Sequence, residues 1–377
     1  MALVCDVGGG TTDFSLIRLR IDAGALAVER IAIGDHLLLG GDNVDLALAT
    51  LAERKIAVAQ PARKLALTER SALQRVCSAA KERLLSATAP DDVRLTVLGA
   101  GRSVVGGTMT VSLDRAEVEA TLAEFLPIAN LDQIDVARAS RAGLRELGLP
   151  YESDPAITRH LARFLTRAAA VLSPGHRALV PTAGGSVVRP DLLLFNGGFF
   201  IPALARNRIT RALAQWFGQP PCVLESTNLE TAVAIGAATY ARLRAGIGGA
   251  GTLVKAGSGR AYYVALGAPR SQDGTFEAVC VLARGTPEGT EQTFDHLFVV
   301  TANRPVSFTL CSSTTRADRA GDIVRLDAGV DALQRAPLVT VFRYGRKSRH
   351  VELPVRVSAA FTEVGTLELW CRSETSD

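Results

Sequence analysis

Apolar residues fall into three patterns along this chain, and each pattern predicts a different kind of element. Short, nearly unbroken apolar runs open it, so residues 3–5, 14–21 and 26–33 read as consecutive strands. A Gly-rich turn follows over 34–45, where Asp42 or Asn43 is placed to cap a helix that continues to about Val58. Helical periodicity then takes over. Leu73, Val76, Cys77, Ala80 and Leu84 stand at spacings of 0, +3, +4, +7 and +11, the stripe of an amphipathic helix over 68–87. A hairpin over 93–98 and 104–111 comes next, then helices over 115–126, 136–147 and 155–172. Asp114 caps the first of these with Glu117 behind it, and Asp154 is placed to cap the last with Pro155 at its first position.

A buried strand over 191–195 ends in Asn196-Gly197-Gly198, and is followed by a helix over 202–217 and a short strand over 222–224. The helix over 230–245 is dense in small residues (Ala232, Ala234, Gly236, Ala237, Ala238), which predicts a partner packed closely against it. Beyond it the pattern changes to period two. Val306, Phe308 and Leu310 alternate with Ser307 and Thr309; Leu353, Val355 and Val357 frame Arg356; and Leu367 and Leu369 frame Glu368. The expected organisation is an α/β domain over 1–245, a Gly-rich linker over 246–260, and an antiparallel β-sandwich or barrel over 261–377.

Bulk composition changes this picture little. A chain of 377 residues with 47% hydrophobic and 21% charged residues is ordinary for a globular protein of two or three domains. The net charge of +4 comes without a basic run, so nucleic acid is not an expected partner. No apolar run reaches the ~18 residues of a membrane span, and the first residues lack a basic secretory leader. Six scattered cysteines and five scattered histidines show no metal-ligand spacing, and a reducing cytoplasm is the expected setting. No nucleophile elbow or Cys/His pairing pattern points to covalent catalysis.

The candidate chemistry lies in Asp6-Val7-Gly8-Gly9-Gly10-Thr11-Thr12-Asp13. Successive glycines let backbone N–H groups turn toward one anion without Cβ obstruction. The flanking carboxylates suit a hydrated divalent cation that in turn holds phosphate. A Walker loop or a dinucleotide fingerprint would lead into a helix, whereas Phe14 to Leu19 is strand-like. The unit is therefore a candidate phosphate-binding β-hairpin.

With further motifs in the same order, the sequence resembles the actin-like ATPase superfamily and, within it, the DnaK-type (seventy-kilodalton heat-shock) chaperones. Asp6 to Asp13 is similar to that family's second phosphate motif, and Gly34 to Asp45 to the segment that follows it. Ala80 to Ser86 resembles its adenosine-contacting helix, Phe195 to Gly198 its adenosine motif, and Asn228 to Ala238 its final connecting helix. More weakly, Leu282 to Pro287, Asn303 to Val306 and Phe361 to Leu369 resemble landmarks of its peptide-binding β-domain.

The resemblance implies an α/β second lobe of an actin-like (ribonuclease H-like) ATPase domain followed by an all-β sandwich. It implies Mg·ATP hydrolysis coupled to binding of unfolded or extended hydrophobic peptides, with ATP or ADP and Mg²⁺ as cofactors and co-chaperones as possible partners. Gly8, Gly9 and Gly10 would donate N–H groups to phosphate oxygens, Thr11 would orient a γ-phosphate oxygen or the attacking water, Asp6 would hold Mg²⁺ through water, and Asp13 would accept the proton. Gly40, Gly41 and Asp42 would border the nucleotide, and Lys81, Gly197 and Gly198 would frame the adenosine with Glu230 nearby.

The sequence also departs from the family. The first lobe, with its own phosphate loop and lysine, has no counterpart, and neither has the helical lid, which implies an N-terminally truncated fragment of a longer protein. Such a fragment would leave the small-residue helix uncovered and hydrolyse ATP negligibly by itself. Phe199 and Phe200 replace polar adenosine contacts, Ser78 stands where an acid is common and Glu82 where a base is common. Residues 148–190 look like an insertion and suggest a divergent bacterial-type branch. The alternative function is a non-hydrolysing interaction module; a sugar kinase or an actin-like filament protein is disfavoured by the Lys81 helix and the β-domain.

Overall fold

A computed structural model describes residues 1–22, 24–61, 63–98, 108–131, 152, 154–226, 228–247, 257–266, 275–327, 333–334, 338–343, 351–362 and 365–373. The expected helix over 136–147, most of the linker and the start of the strand over 104–111 lie outside these residues. The chain is a mixed α/β protein that divides into two compact units. The first comprises Met1–Leu16 and Gly34–Gly251, the second Ile17–Ile33 and Thr252–Asp377.

The opening strands are β1 (Ala2–Val7), β2 (Thr12–Asp22) and β3 (Ala25–Ile33). Then come α1 (Gly41–Ala59), α2 (Leu67–Leu84), the hairpin β4 (Asp92–Leu98) and β5 (Thr108–Asp114), α3 (Arg115–Phe125) and α4 (Ile157–Ala169). A small hairpin of β6 (Leu179–Thr182) and β7 (Gly185–Val188) precedes β8 (Leu192–Asn196). The series ends with α5 (Ala203–Phe217), β9 (Cys222–Val223) and α6 (Ala232–Arg244). The central strand β1 lies between β2 and β8, with β9 beyond β8. β1 and β8 are parallel, from Ala2 opposite Leu192 to Asp6 opposite Asn196. Parallel strands are covered on both faces, which is why Ala2, Leu3, Cys5 and Val7 are all buried.

Three helix starts differ from the sequence expectation. Gly40, not Asp42 or Asn43, is the N-cap of α1; Asn43 sits three residues in, and its Oδ1 accepts the Gly40 N–H at 2.9 Å. The α4 N-cap is Ala156, and Asp154 receives the Ala156 N–H at 3.1 Å instead of capping from its own position. α6 begins at Ala232, not Glu230, and among its described residues none is buried, so the close partner that its small residues predict is not found there. The Asp114–Glu117 box forms as expected, with reciprocal bonds of 2.8 and 3.0 Å. Leu73, Cys77, Ala80 and Leu84 of the α2 stripe are buried, and Val76 is half-buried.

Besides the end of β2 and β3, the second unit is built of antiparallel strands: β10 (Ala261–Ala265), β11 (Thr275–Leu282), β12 (Thr290–Thr301), β13 (Pro305–Phe308), β14 (Leu310–Ser313), β15 (Ile323–Asp327), β16 (Leu333–Gln334), β17 (Leu338–Val341), β18 (Glu352–Phe361) and β19 (Leu367–Ser373). They form sheets ordered β15-β11-β10-β14-β16, β12-β18-β19 and β13-β17. One core joins Val279 and Val281 to Phe294 and Ala359, with Leu367 and Leu369 against it, so residues of two sheets meet face to face. The run 306–310, read as one alternating strand, is two strands with different partners: β13 pairs with β17 and β14 with β10. Gly257-Ser258-Gly259, read as linker, is partly stitched into this unit by Ser258 N–H to the Thr286 carbonyl at 2.8 Å and Gly285 N–H to the Ser258 carbonyl at 2.7 Å.

Candidate functional site

The site is built where β1 and β8 end side by side. Their register sets Asp6 opposite Asn196, whose Nδ2 donates to Asp6 Oδ2 at 2.9 Å. Past Asp6 the chain turns through Gly8-Gly9-Gly10. None of these glycines adopts the left-handed backbone expected of an anion nest. Their service is space: a Cβ at Gly8 or Gly10 would come no closer than 4.0 Å to the Thr11 carbonyl oxygen or 3.9 Å to Asp42 Oδ2. At Gly9 it would meet the tip of Asp42 at 3.1 Å. The Gly8 N–H, expected to face a phosphate, donates to the Thr11 carbonyl at 2.9 Å and closes the turn. Among the described residues no acceptor takes the N–H groups of Gly9, Gly10 or Thr11.

The start of α1 braces this turn. Gly41 N–H donates to the Gly8 carbonyl at 3.0 Å and Asp42 N–H to the Gly9 carbonyl at 2.8 Å. The approach is so close that a side chain at Gly40 would overlap both carbonyl oxygens. Thr12, fully buried, ties the other side through its Oγ1, which donates to the Leu39 carbonyl at 2.7 Å. Gly197 has φ +87° and sits so near the Val7 carbonyl that only glycine fits. Its N–H donates to the Leu229 carbonyl at 3.2 Å, which brings the start of the 228–231 turn to the end of β8.

The sequence-derived site residues therefore fall into one connected group and several outliers. Asp6, the glycine turn, Gly40, Gly41, Asp42 and Gly197 are brought together by backbone contacts. Lys81 reaches the same helix start: its Nζ lies 2.7 Å from Asp45 Oδ1 and 3.5 Å from the Gly41 carbonyl. Asp13 is the second residue of β2, with His36 Nδ1 2.9 Å from its Oδ1. Glu230 is exposed, and its N–H goes to Asn228 Oδ1 at 2.9 Å. Gly198 opens a short 3-10 turn over Gly198–Phe200. Phe200 within it is fully buried, its ring 4.6 Å from that of Phe195, so it belongs to the core; Phe199 packs edge-on against it at 5.5 Å.

Sequence reasoning passed over three side chains that the structure places here. Asn196 holds Asp6 and keeps a buried Oδ1 that has no hydrogen-bond partner among the described residues. Asp45 is the buried counter-ion of Lys81. His36 is the neighbour of Asp13. All three stand inside motifs already singled out, so position relative to the glycines was the available signal. Two thiols near the site are buried, which disfavours their thiolate forms. Burial, then the charge of Asp6, pushes the Cys5 thiol well above its ordinary range, and burial, then Asp45, pushes Cys77 up to about 12.

Unclaimed backbone N–H groups of the turn, the Asp6 carboxylate at a strand end and Lys81 of α2 are thus gathered around the start of α1. Residues 1–130 match the model of the Hsp70 protein family, which ties this stretch to Hsp70 proteins. The matched stretch holds the glycine turn, Gly40 to Asp42, and Lys81; Asn196 to Gly198 and Glu230 lie beyond it. No curated protein matches the chain.

Proposed function

We propose that the protein is an ATP-dependent molecular chaperone of the DnaK type, acting in the cytoplasm. Nucleotide at the glycine turn would govern the hold of the β-rich unit on extended hydrophobic peptide. The observation that carries this reading is the turn itself: Gly8 and Gly10 are kept free of side chains where a Cβ would meet open space, and among the described residues no acceptor takes the Gly9, Gly10 or Thr11 N–H groups. The Hsp70 match over the same residues supports it.

Mg·ATP supplies a transferable γ-phosphoryl group and the charge neutralisation such transfer needs. The chain's own residues would position it. Gly9, Gly10 and Thr11 would donate N–H groups to phosphate oxygens, and the Thr11 hydroxyl would orient a γ-phosphate oxygen or the attacking water. Asp6, steadied by Asn196, would hold Mg²⁺ through water, and Asp13 would accept the proton. Lys81 and Gly197–Gly198 would border the adenosine.

Titration calorimetry with ATP and ADP in the presence of Mg²⁺ tests the site. A methyl group at Gly10 enters open space, so Gly10→Ala should melt with the wild type yet bind ATP roughly tenfold more weakly, the loss of about one hydrogen bond to a charged group. Equal affinity in the two proteins would move the nucleotide elsewhere. In the full-length protein, Asp13→Asn should lower ATP turnover roughly tenfold or more while ADP affinity survives; unchanged turnover would remove Asp13 as the proton acceptor.

A further inference from the structure

A short backbone bridge sets a histidine against the acid that the proposed reaction uses. Thr12 and Leu37 exchange both backbone hydrogen bonds, Thr12 N–H to the Leu37 carbonyl at 3.0 Å and Leu37 N–H to the Thr12 carbonyl at 3.1 Å. In that antiparallel register His36 stands opposite Asp13. His36 Nδ1 lies 2.9 Å from Asp13 Oδ1. The flanks of the histidine are held as well: Leu37 is buried, and Asp35 is paired with Arg167 at 2.7 Å. The imidazole is thus delivered to the carboxylate by the chain path, although both side chains are substantially solvent-exposed.

A carboxylate only accepts hydrogen bonds, so the contact requires a proton on Nδ1. We propose that His36 is a positioning residue for Asp13: its Nδ1–H holds Oδ1 and fixes the carboxylate plane, leaving Oδ2 to take the proton from water. This rests on the ATPase reading above. It adds to that reading a residue that touches neither nucleotide nor metal.

Two measurements test it. Long-range proton–nitrogen spectra of the nucleotide-free protein report the His36 tautomer, with Nδ1–H expected in the wild type and Nε2–H favoured in Asp13→Ala. The same tautomer in both proteins would overturn the pairing. In turnover assays of the full-length protein, His36→Ala should lower kcat roughly tenfold through loss of orientation, with ADP affinity unchanged. His36→Asn, whose amide can donate from nearly the same place, should recover kcat to within about threefold of the wild type. A turnover indifferent to His36→Ala, or an Asn variant as slow as Ala, overturns the inference alone. Absence of ATP turnover in the unsubstituted full-length protein overturns the ATPase reading, and the inference with it.

Discussion

Asp154 shows how one side chain can be read correctly as structural and wrongly as to its partners. An acid before a proline at a helix start is a capping signal, yet α4 begins later, at Ile157 with Ala156 as its N-cap. The carboxylate is claimed instead by the Arg159 fork, with Nε at 2.9 and 3.1 Å, and by Arg163 at 3.3 Å. Burial alone would raise the Asp154 pKa. The Arg159 hydrogen bond, the Ala156 N–H and the charges of Arg159 and His160 outweigh it and hold the carboxyl below its usual range. A folded-state pKa below the unfolded one adds stability at pH values above the ordinary Asp pKa of ~3.9. That contribution is lost as the pH falls through the lowered value. Thermal melts from neutral to strongly acidic pH should show a steeper acid loss in the wild type than in Asp154→Asn. Parallel curves would mean that the arginines do not stabilise the charged form. The sequence showed the acid and the helix, but not which of several nearby donors would take it.

At the scale of elements, the sequence was most legible where burial and periodicity agree. The strands around the glycine turn, the α2 stripe and the Asp114–Glu117 box all appear where the pattern places them. It was least legible where an element's partner decides its limits. Period two runs through 306–310, but Thr309 gives its carbonyl to Ala265 N–H at 3.0 Å between two strands bound for different sheets. Likewise α1 starts at a glycine because its first N–H groups reach the turn carbonyls, a demand that capping propensity cannot express. Thr12 is the joint between β2 and this helix start. Thr12→Val keeps the shape but leaves the Leu39 carbonyl without its hydroxyl donor. It should cost about 1–3 kcal/mol of unfolding free energy, measured as a lower urea midpoint with unchanged slope. An unaltered midpoint would mean that another donor replaces the hydroxyl.

At the scale of the whole molecule, neighbours in sequence part company. Ile17–Ile33 is counted with the second unit although β2 begins in the first. Within that second unit, Arg30 Nη2 donates to the Gly257 carbonyl at 3.3 Å. Nothing in the apolar pattern of 17–33 distinguishes a hairpin that stays with its own sheet from one grouped with residues hundreds of positions later. The proposed function is also tested at this scale. A fluorescent hydrophobic heptapeptide bound to the full-length protein should dissociate faster with ATP than without it if nucleotide governs peptide release. Equal dissociation rates would favour the non-hydrolysing interaction module.

The close approaches at Gly40 and Gly197 also separate two kinds of genetic lesion. Every missense change in either codon adds a side chain where a carbonyl oxygen already lies, so a selection for soluble protein should return no survivors there. Codons 8 and 10 face open space, and a selection for folding alone should accept small residues at them. Run in parallel, a solubility selection and a nucleotide-capture selection would draw two different maps from one mutant library. The difference between those maps would outline the ligand without a ligand-bound structure.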